Sequence, residues 1–370
     1  MTVTKGLELI SRVTSVGELE LSLVEVPVTP PGPDEVVVRI QATPLNPSDQ
    51  GLLLGPADVT TAKTNGLVTT ATIPAERMAG MKARLDQPMK VGNEGAGTIV
   101  EAGANAQHML GKTVAILAGA MYAQYRTVKA SDAVELPEGI TAAQGASIFV
   151  NPLTVMGFIT TMKHERHTAI VHTAAASNLG QMLTKACSKD GIGLVNIVRS
   201  GEQATILRDL GAKHVVDSTA SSFAAELTDA IAETGATIAF DATGGGPLTN
   251  QILRAMETAV NRTAKAYSRY GSSTHKQVYI YGGLDPRPTE LDRSYGLAWG
   301  VSGWLLTPWM MKMGAAAMSP IRARILAELT STFESKYSET ISLREVLQPD
   351  VIARYAKKAT GEKFLIDPSK

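Results

Sequence analysis

The N-terminal part of the chain alternates apolar and polar residues in short runs that are separated by glycine, proline or polar residues. These runs cover residues 19–26, 35–40, 97–100, 113–116 and 125–128. A period of two places one face of a strand in a core and the other towards solvent, and the β-branched residues in these runs favour strands. The pattern therefore predicts a small, barrel-like β domain over residues 1–145.

Near residue 140 apolar runs begin to alternate with amphipathic runs of helical length. Strands are predicted at residues 169–172, 194–198, 215–216, 237–240 and 278–281, and helices at residues 179–189, 202–210 and 222–233. Gly191 and Gly211 are predicted to end two of these helices, and Ser222 to cap the third. Such alternation is typical of βαβ units, so we predict a doubly wound parallel sheet of the α/β class over residues 146–330.

The end of the chain contains one more predicted helix, at residues 349–358, and an apolar run at residues 363–366. We expect this tail, from about residue 331 to residue 370, to return to the first domain and complete it.

A further apolar stretch covers residues 297–318 and carries Trp299, Trp304 and Trp309. Glycines, Pro308 and Lys312 interrupt it, which disfavours a membrane-spanning helix. Two interpretations stay open, because large apolar side chains serve both: a wall of the substrate site, or packing in the core or a dimer interface.

Length and charge narrow the class of protein. The 370 residues exceed the roughly 250–300 residues that one core serves, so two domains are expected. The 35 basic and 35 acidic residues give a formal net charge of +0, so no overall field favours nucleic acid or a membrane surface. Charged residues are mixed into the apolar N-terminus, which is unlike a signal peptide, and we expect a cytoplasmic protein.

Two short segments indicate a nucleotide cofactor. The turn after the first strand of the second domain consists of Ala174, Ala175, Ala176, Ser177, Asn178, Leu179 and Gly180. Small residues let backbone amides approach a pyrophosphate at the start of the next helix, although an ordinary tight turn has the same composition. Arg199 and Ser200 follow the second strand, where an acidic residue would bind a ribose 2′-hydroxyl. They suit a 2′-phosphate and favour NADPH, unless Arg199 is only a solvated side chain.

Five motifs occur in an order that is typical of one family. They are Leu45-Asn46-Pro47-Ser48-Asp49, Gly92-Asn93-Glu94-Gly95-Ala96-Gly97, Asn151-Pro152-Leu153-Thr154, the alanine-rich turn and Gly361-Glu362-Lys363-Phe364-Leu365. With them the chain resembles the medium-chain dehydrogenase/reductases, in particular the zinc-independent NADPH:quinone oxidoreductases and enoyl reductases. The resemblance implies a GroES-like β-barrel domain, a Rossmann domain, NADPH in a cleft between them, and a homodimer.

The same resemblance implies roles for individual residues. Asn46 would approach the nicotinamide ribose and Thr154 the nicotinamide side of the cofactor, which makes both candidate catalytic and cofactor-binding residues. The backbone at Gly282 and Gly283 would run beside the nicotinamide. Lys358 would be a basic contact of the cofactor.

Zinc-dependent relatives have a cysteine where Asn46 stands and a histidine where Asn93 stands. Amide side chains do not replace thiolate and imidazole ligands on Zn²⁺. Cys187 is the single cysteine of the chain, which excludes a site built from several thiolates. We therefore expect no metal site.

The segment between Gly55 and Gly92 is longer than the usual loop of the family, and it lacks the tyrosine that many enoyl-thioester reductases carry there as a proton donor. Tyr122 is a candidate donor from elsewhere, although we favour packing in the barrel as its role. The segment also carries Arg77, Lys82 and Arg84, which could meet the phosphates of a CoA or carrier arm or form a solvated helix face.

Without a metal or an evident acid–base pair, the remaining chemistry is hydride delivery from NADPH to an electron-poor small molecule. A quinone or an α,β-unsaturated carbonyl compound fits as the acceptor. Two alternatives stay open: reduction of an enoyl thioester, and an NADPH-binding sensor or structural protein without turnover.

Overall fold

The computed structural model of the protein describes residues 3–370. Its strands are β1 (Lys5–Val13), β2 (Glu18–Pro27), β3 (Glu35–Pro44), β4 (Lys63–Asn65), β5 (Val68–Thr72), β6 (Met89–Lys90), β7 (Glu94–Ala102), β8 (Thr113–Leu117), β9 (Tyr125–Lys129), β10 (Ala133–Glu135), β11 (Ala169–His172), β12 (Gly193–Val198), β13 (His214–Asp217), β14 (Ile238–Asp241), β15 (Gly244–Gly246), β16 (Lys276–Ile280), β17 (Asp285–Thr289), β18 (Trp299–Gly303), β19 (Glu339–Ser342) and β20 (Phe364–Asp367).

The α-helices are α1 (Pro47–Leu53), α2 (Ala75–Met78), α3 (Ala142–Gly145), α4 (Val150–His164), α5 (Asn178–Asp190), α6 (Gly201–Asp209), α7 (Phe223–Thr234), α8 (Leu248–Asn261), α9 (Leu306–Ala327) and α10 (Pro349–Ala356). Short 3₁₀ helices cover Val59–Thr61, Ala79–Arg84, Ala104–Met109, Ala130–Asp132 and Glu345–Leu347. The elements form two units, Met1–Val150 with Leu329–Lys370, and Asn151–Glu328.

The first unit consists mainly of antiparallel strands. One sheet has the order β4-β5-β2-β1-β6, and a larger one has the order β10-β8-β7-β3-β20-β19, with β9 also paired to β3. The alternation in β2 places Leu19, Leu21 and Leu23 in the core and leaves the intervening polar residues half-buried on the other face, as the pattern predicts. Strand β20 pairs with β3, so the C-terminal tail returns to this unit.

The second unit contains a six-stranded sheet whose strands are all parallel, in the order β13-β12-β11-β14-β16-β18. Its first strand, β11, therefore lies in the middle, and the chain crosses from one side of it to the other between β13 and β14. This order is that of a doubly wound nucleotide-binding fold, and ligands bind such folds at the carboxyl ends of the central strands. The predicted α/β fold class is confirmed.

Helix ends in this unit follow local sequence signals, with one exception. Gly191 and Gly211 adopt the predicted left-handed conformation, with φ of 66° and 84°. Ser222 stands at the predicted N-cap position, but its hydroxyl does not bind the backbone of α7 and instead contacts Glu226 Oε1 at 2.7 Å. The predicted position is confirmed, but the side-chain cap is missing because Ser222 has helical backbone angles, with φ of −80° and ψ of −5°, rather than the extended ones usual for a capping residue.

The tryptophan-rich segment supplies a strand and a helix that the sequence pattern did not separate. Residues Trp299–Gly303 pair with β16 as the edge strand β18, and α9 follows with a break at Gly314, where φ is 74°. The indole of Trp304 lies 4.9 Å from the ring of Phe158 on α4 and 6.1 Å from the ring of Trp309. Trp304 and Trp309 therefore pack in the core, which is one of the two interpretations that the sequence left open. A role of the segment as a wall of the substrate site stays a prediction.

One helical stretch, Ala142–His164, is long and apolar enough to cross a membrane by length and composition. In the folded chain 83% of the most apolar part of this stretch is buried. Burial of this kind is that of a core helix, so the stretch is weak evidence for a membrane span.

Candidate functional site

The turn between β11 and α5 has the geometry of a phosphate-binding turn. Ala174 adopts a left-handed conformation with φ of 50°, and the hydroxyl of Ser177 caps α5 by accepting a hydrogen bond from the amide of Gly180 at 3.2 Å. Leu179 lies in the first turn of α5, where backbone amides have no acceptor within the helix. Free amides at the start of a helix are the groups that bind a pyrophosphate, so the turn fits the predicted cofactor.

Gly180 is required by the close approach of α5 to this turn. A Cβ atom at this position would lie 2.1 Å from the carbonyl oxygen of Ala175, which belongs to the backbone and cannot swing away. The glycine therefore sets how near the start of α5 lies to the end of β11.

We expect Gly180→Ala to destabilise the protein by about 1–3 kcal/mol, because an overpacked Cβ forces the backbone of the turn to shift. The same shift should weaken binding of NADPH. Gly201→Ala is the matched control, since a Cβ at the start of α6 meets nothing within 4 Å. Thermal unfolding of both variants tests this, and equal midpoints would contradict a steric role for Gly180.

Asp241 organises the same edge of the sheet, and sequence reasoning missed it. Its buried carboxylate accepts hydrogen bonds from the hydroxyls of Thr173 and Thr249, both at 2.8 Å, and from the amides of Thr243 and Gly244. It thereby ties the end of β11 to the segment that follows β14. An acidic residue at the end of an apolar strand was the available sequence signal.

Arg199 and Ser200 lie at the end of β12, next to the phosphate turn, because β12 pairs in parallel with β11. Arg199 is exposed and forms no ion pair with the part of the chain that the structure describes. Ser200 caps α6 by accepting a hydrogen bond from the amide of Gln203. A free guanidinium beside a helix start is suited to a phosphate monoester.

Gly282 follows β16 and packs against the segment after β14. A Cβ atom on Gly282 would lie 2.6 Å from the carbonyl oxygen of Ala242, whereas one on Gly283 would meet nothing within 4 Å. The first glycine thus serves close backbone packing, and the second leaves open space at the carboxyl edge of the sheet. A bound nicotinamide would use space of that kind, which keeps Gly283 a candidate contact.

A second group of candidate residues is buried in the first unit, around Asn46 and Glu94. Asn46 Nδ2 donates to Glu94 Oε1 at 2.8 Å. The other carboxylate oxygen of Glu94 accepts from the amides of Phe149 and Val150 at 2.9 and 3.0 Å. Asn46 is also the N-cap of α1, where its side chain and that of Asp49 form a capping box, and the amide of Asn46 donates to Asp49 Oδ2 at 2.8 Å.

Two further ionisable groups surround this pair. Burial raises the pKa of Asp49 to about 7, although backbone hydrogen bonds from Asn46 and Asn93 oppose the shift. Burial lowers the pKa of Lys363 to about 8, while the charges of Glu94 and Asp49 oppose that shift. Burial likewise raises the pKa of Glu94, with Lys363 opposing it. Perturbed groups that lie together mark a candidate functional site.

The remaining predicted site residues lie in three different settings. Tyr122 is fully buried, its hydroxyl donates to the carbonyl of Pro44 at 3.2 Å, and it packs in the core of the first unit. This is the packing role that the sequence favoured, and a role of Tyr122 as proton donor stays untested. Thr154 is buried on α4, and Lys358 is exposed just after α10 with a left-handed φ of 50°.

The donor set around Asn46 does not suit zinc. The side-chain nitrogen of Asn46 is turned towards Glu94, and Asn93 offers a second amide. Cys187 is buried elsewhere, and burial raises the pKa of its thiol to about 12. No group of three or more His, Cys, Asp or Glu side chains within residues 3–370 could hold a metal ion.

Arg84 does not project from the surface as a contact for substrate phosphates. Its guanidinium turns inward and donates to the hydroxyl of Ser11 and the carbonyl of Leu52. Arg77 donates to the carbonyl of Pro56 at 3.2 Å and is exposed. The hypothesis of a three-residue phosphate patch was therefore wrong for Arg84, because its guanidinium is occupied by these two groups of the chain.

Comparisons with known proteins agree with this architecture. Residues 32–138 match the alcohol dehydrogenase GroES-like domain. The chain is 30% identical to the mitochondrial enoyl-[acyl-carrier-protein] reductase of Xenopus tropicalis over 204 residues, which are 53% of this chain and 51% of that protein. It is 27% identical to a quinone oxidoreductase of Pseudomonas aeruginosa over 206 residues, 54% of this chain and 56% of that protein. The chain thus spans about half the length of the curated relatives it matches.

A solved structure covers the whole chain. It comes from Mesorhizobium loti and is provisionally identified as an NADPH:quinone reductase, with a TM-score of 0.74, 24% identity and 100% of both chains covered. At this identity the likeness shows the fold. Together with the GroES-like domain and the two curated relatives, it confirms the resemblance stated from the motifs. The chain thus contains a GroES-like domain of the alcohol dehydrogenase type, and the curated proteins it is similar to are enoyl reductases and a quinone oxidoreductase.

Proposed function

We propose that the protein is an NADPH-dependent oxidoreductase that transfers a hydride to a quinone or an α,β-unsaturated carbonyl compound, and that it does so without zinc. One observation carries the proposal: a turn with free amides and the exposed guanidinium of Arg199 lie at the same carboxyl edge of a parallel sheet. The edge thus offers donors to two phosphate groups of one dinucleotide.

The residues that would hold NADPH are those of the turn and its neighbours. Ala174 to Gly180 would surround the pyrophosphate, and Arg199 with Ser200 would bind the 2′-phosphate. Gly283 leaves room at the end of β16. Asn46, Thr154 and Lys358 stay proposed contacts on the strength of the family resemblance. When bound, NADPH supplies the hydride, and the chain contributes orientation and hydrogen bonds.

The absence of zinc chemistry is supported by the donors around Asn46. An amide nitrogen that donates to a carboxylate has no lone pair to offer a metal. The relatives include a quinone oxidoreductase. Cytoplasmic localisation and a homodimer belong to the proposal as expectations from the sequence and the family.

Reduction of an enoyl thioester is the second candidate. It is favoured by the similarity to mitochondrial enoyl-[acyl-carrier-protein] reductases, 30% identical in Xenopus tropicalis and 26% in Caenorhabditis elegans. The inward orientation of Arg84 removes one of the basic residues that would contact the phosphates of a thioester carrier. We therefore place quinones and enones first.

A spectrophotometric assay of NADPH oxidation tests both candidates. We expect turnover with quinones or enones, faster than with enoyl-CoA substrates, and no loss of rate after exhaustive chelation. Faster turnover of enoyl-CoA would support the second candidate instead. NADPH binding without turnover of any acceptor would favour a sensor or structural protein, and a metal whose removal abolishes activity would contradict zinc independence.

A further inference from the structure

We propose that a pocket beside Glu8 and Arg126 in the first unit binds a small organic anion that carries both a carboxylate and a hydroxyl group. The pocket has a volume of about 130 Å³, and its walls come from β1, β2, β6, β9 and the residues that follow β2. Pockets for drug-sized ligands have roughly 300–1,000 Å³, so this one suits a molecule of a few non-hydrogen atoms. Its lining residues all belong to the first unit, and none of them is a candidate residue for binding NADPH.

Glu8 brings a buried carboxylate to this pocket. It is 2% exposed, although it lies on the opposite face of β1 from Leu7 and Leu9, which pack in the core of the first unit. Oε2 of Glu8 lies 2.9 Å from Nζ of Lys90. Oε1 is buried and has no hydrogen-bond partner within residues 3–370. An unsatisfied buried carboxylate oxygen is costly, so it favours a ligand that brings a donor.

Arg126 on β9 brings the complementary group. Its Nε is buried and also lacks a hydrogen-bond partner in the part of the chain that the structure describes. Burial lowers the pKa of Arg126 and the charge of Glu8 opposes that shift, so the two charged groups lie near each other. No hydrogen bond joins Nε to Oε1 of Glu8. A guanidinium only donates, so Arg126 favours a ligand that brings an acceptor, and a carboxylate is the strongest one.

The charges that line the pocket decide which kind of ligand carries these groups. Glu8 contributes one negative charge, and Lys90 and Arg126 contribute two positive ones. Because Lys90 is paired with Glu8, the charge of Arg126 is the one left without a counter-ion. A monoanion neutralises it, whereas a zwitterion such as an amino acid leaves it in place. A 2-hydroxy acid provides the anion for Arg126 and a hydroxyl donor for Glu8 on adjacent carbon atoms.

Titration of three small acids into the full chain, followed by saturation-transfer NMR without cofactor, tests the ligand class. Glycolate carries both groups, acetate lacks the hydroxyl, and glycine is a zwitterion. We expect the Kd for glycolate to be at least about 10-fold below the other two. Equal Kd values for glycolate and acetate, or tighter binding of glycine, would overturn the proposal. Binding of none of the three would show that the pocket holds water only.

Arg126→Met tests the basic group and should raise the Kd for glycolate at least about 10-fold. Lys129→Met is the matched control, since Lys129 is exposed on the same strand, does not line the pocket and carries the same charge. We expect it to leave the Kd nearly unchanged. An equal loss in the two variants would mean that net charge, and not this pocket, attracts the anion.

Glu8→Gln tests the acceptor with little change in shape. A neutral amide oxygen accepts more weakly than a carboxylate, so the Kd values for glycolate and acetate should move closer together. A purely structural role of Glu8 would change both values by one factor and keep their ratio, which would contradict the assigned role. Thermal unfolding without ligand shows whether the variant is folded, and if it is not, the three acids and Arg126→Met still decide. None of these measurements uses NADPH, so their outcome is independent of the proposed function.

Discussion

Arg199→Ala should raise the Kd for NADPH by about 10- to 100-fold and leave the Kd for NADH almost unchanged. A charge-assisted hydrogen bond to a phosphate contributes this much, and NADH lacks the 2′-phosphate. The guanidinium is exposed and is not neutralised by an acidic side chain within residues 3–370, so its full charge is available. Parallel titration of both cofactors into both proteins measures the difference.

Arg208→Ala is the matched control for this prediction. Arg208 is also exposed, and it lies in the last turn of α6, away from the end of β12. Its replacement removes the same net charge, so a general electrostatic effect would weaken NADPH binding in both variants. An equal loss for NADPH and NADH in Arg199→Ala would contradict the assignment of the 2′-phosphate.

Lys276→Met should lower the free energy of unfolding by about 3–5 kcal/mol, because it leaves a buried carboxylate without its counter-ion. The ammonium of Lys276 is fully buried and lies 2.6 Å from Glu257 Oε2. It also donates to the hydroxyl of Ser272 and the carbonyl of Thr274. Chemical denaturation of wild type and variant measures the loss.

The exposed ion pair between Arg262 and Asp229, at the similar distance of 2.7 Å, provides the control. Both of its side chains reach solvent, so Arg262→Met should cost at most about 1 kcal/mol. A similar loss in the two variants would show that burial does not set the importance of the Lys276 pair.

The buried pair of Lys276 and Glu257 also predicts how stability depends on pH. Burial alone would raise the pKa of Glu257, but hydrogen bonds from Lys276, Ser272 and Asn261 outweigh it and lower the pKa to about 2. A folded-state pKa below the ordinary value of 4.5 stabilises the protein above pH 4.5, and this contribution is lost as the pH falls from there towards 2. Lys276→Met should reduce this part of the pH dependence.

Local sequence patterns were enough to predict the succession of strands and helices from β11 to β14 in the second unit. Strands β11, β12 and β14 coincide closely with the predicted runs, and the helices after β11 and β12 end at the predicted glycines. The phosphate turn and Arg199 could be placed at one edge for the same reason: in a parallel sheet every strand delivers its carboxyl end to the same side. Periodicity and cap residues are properties of neighbouring residues, and the sequence displays them directly.

Other features depend on residues that are far apart in the chain. Strand β18 has two glycines in five residues and becomes a strand because β16 offers it a free edge. The charged and apolar residues of Lys5–Val13 form a strand through pairing with β2. Neither segment has a period that identifies it in isolation, so tertiary pairing decided its structure.

The chemistry of the candidate site shows the same division. The motifs around Asn46 and Glu94 were visible in the sequence. The residue types alone showed that asparagines stand where zinc-dependent relatives have cysteine and histidine ligands. Only the folded chain shows that Glu94 bonds Asn46 across 48 positions, and that Asp241 ties two strand ends together. Hydrogen-bond partners of buried polar groups are set by three-dimensional proximity, for which a single sequence has no local signal.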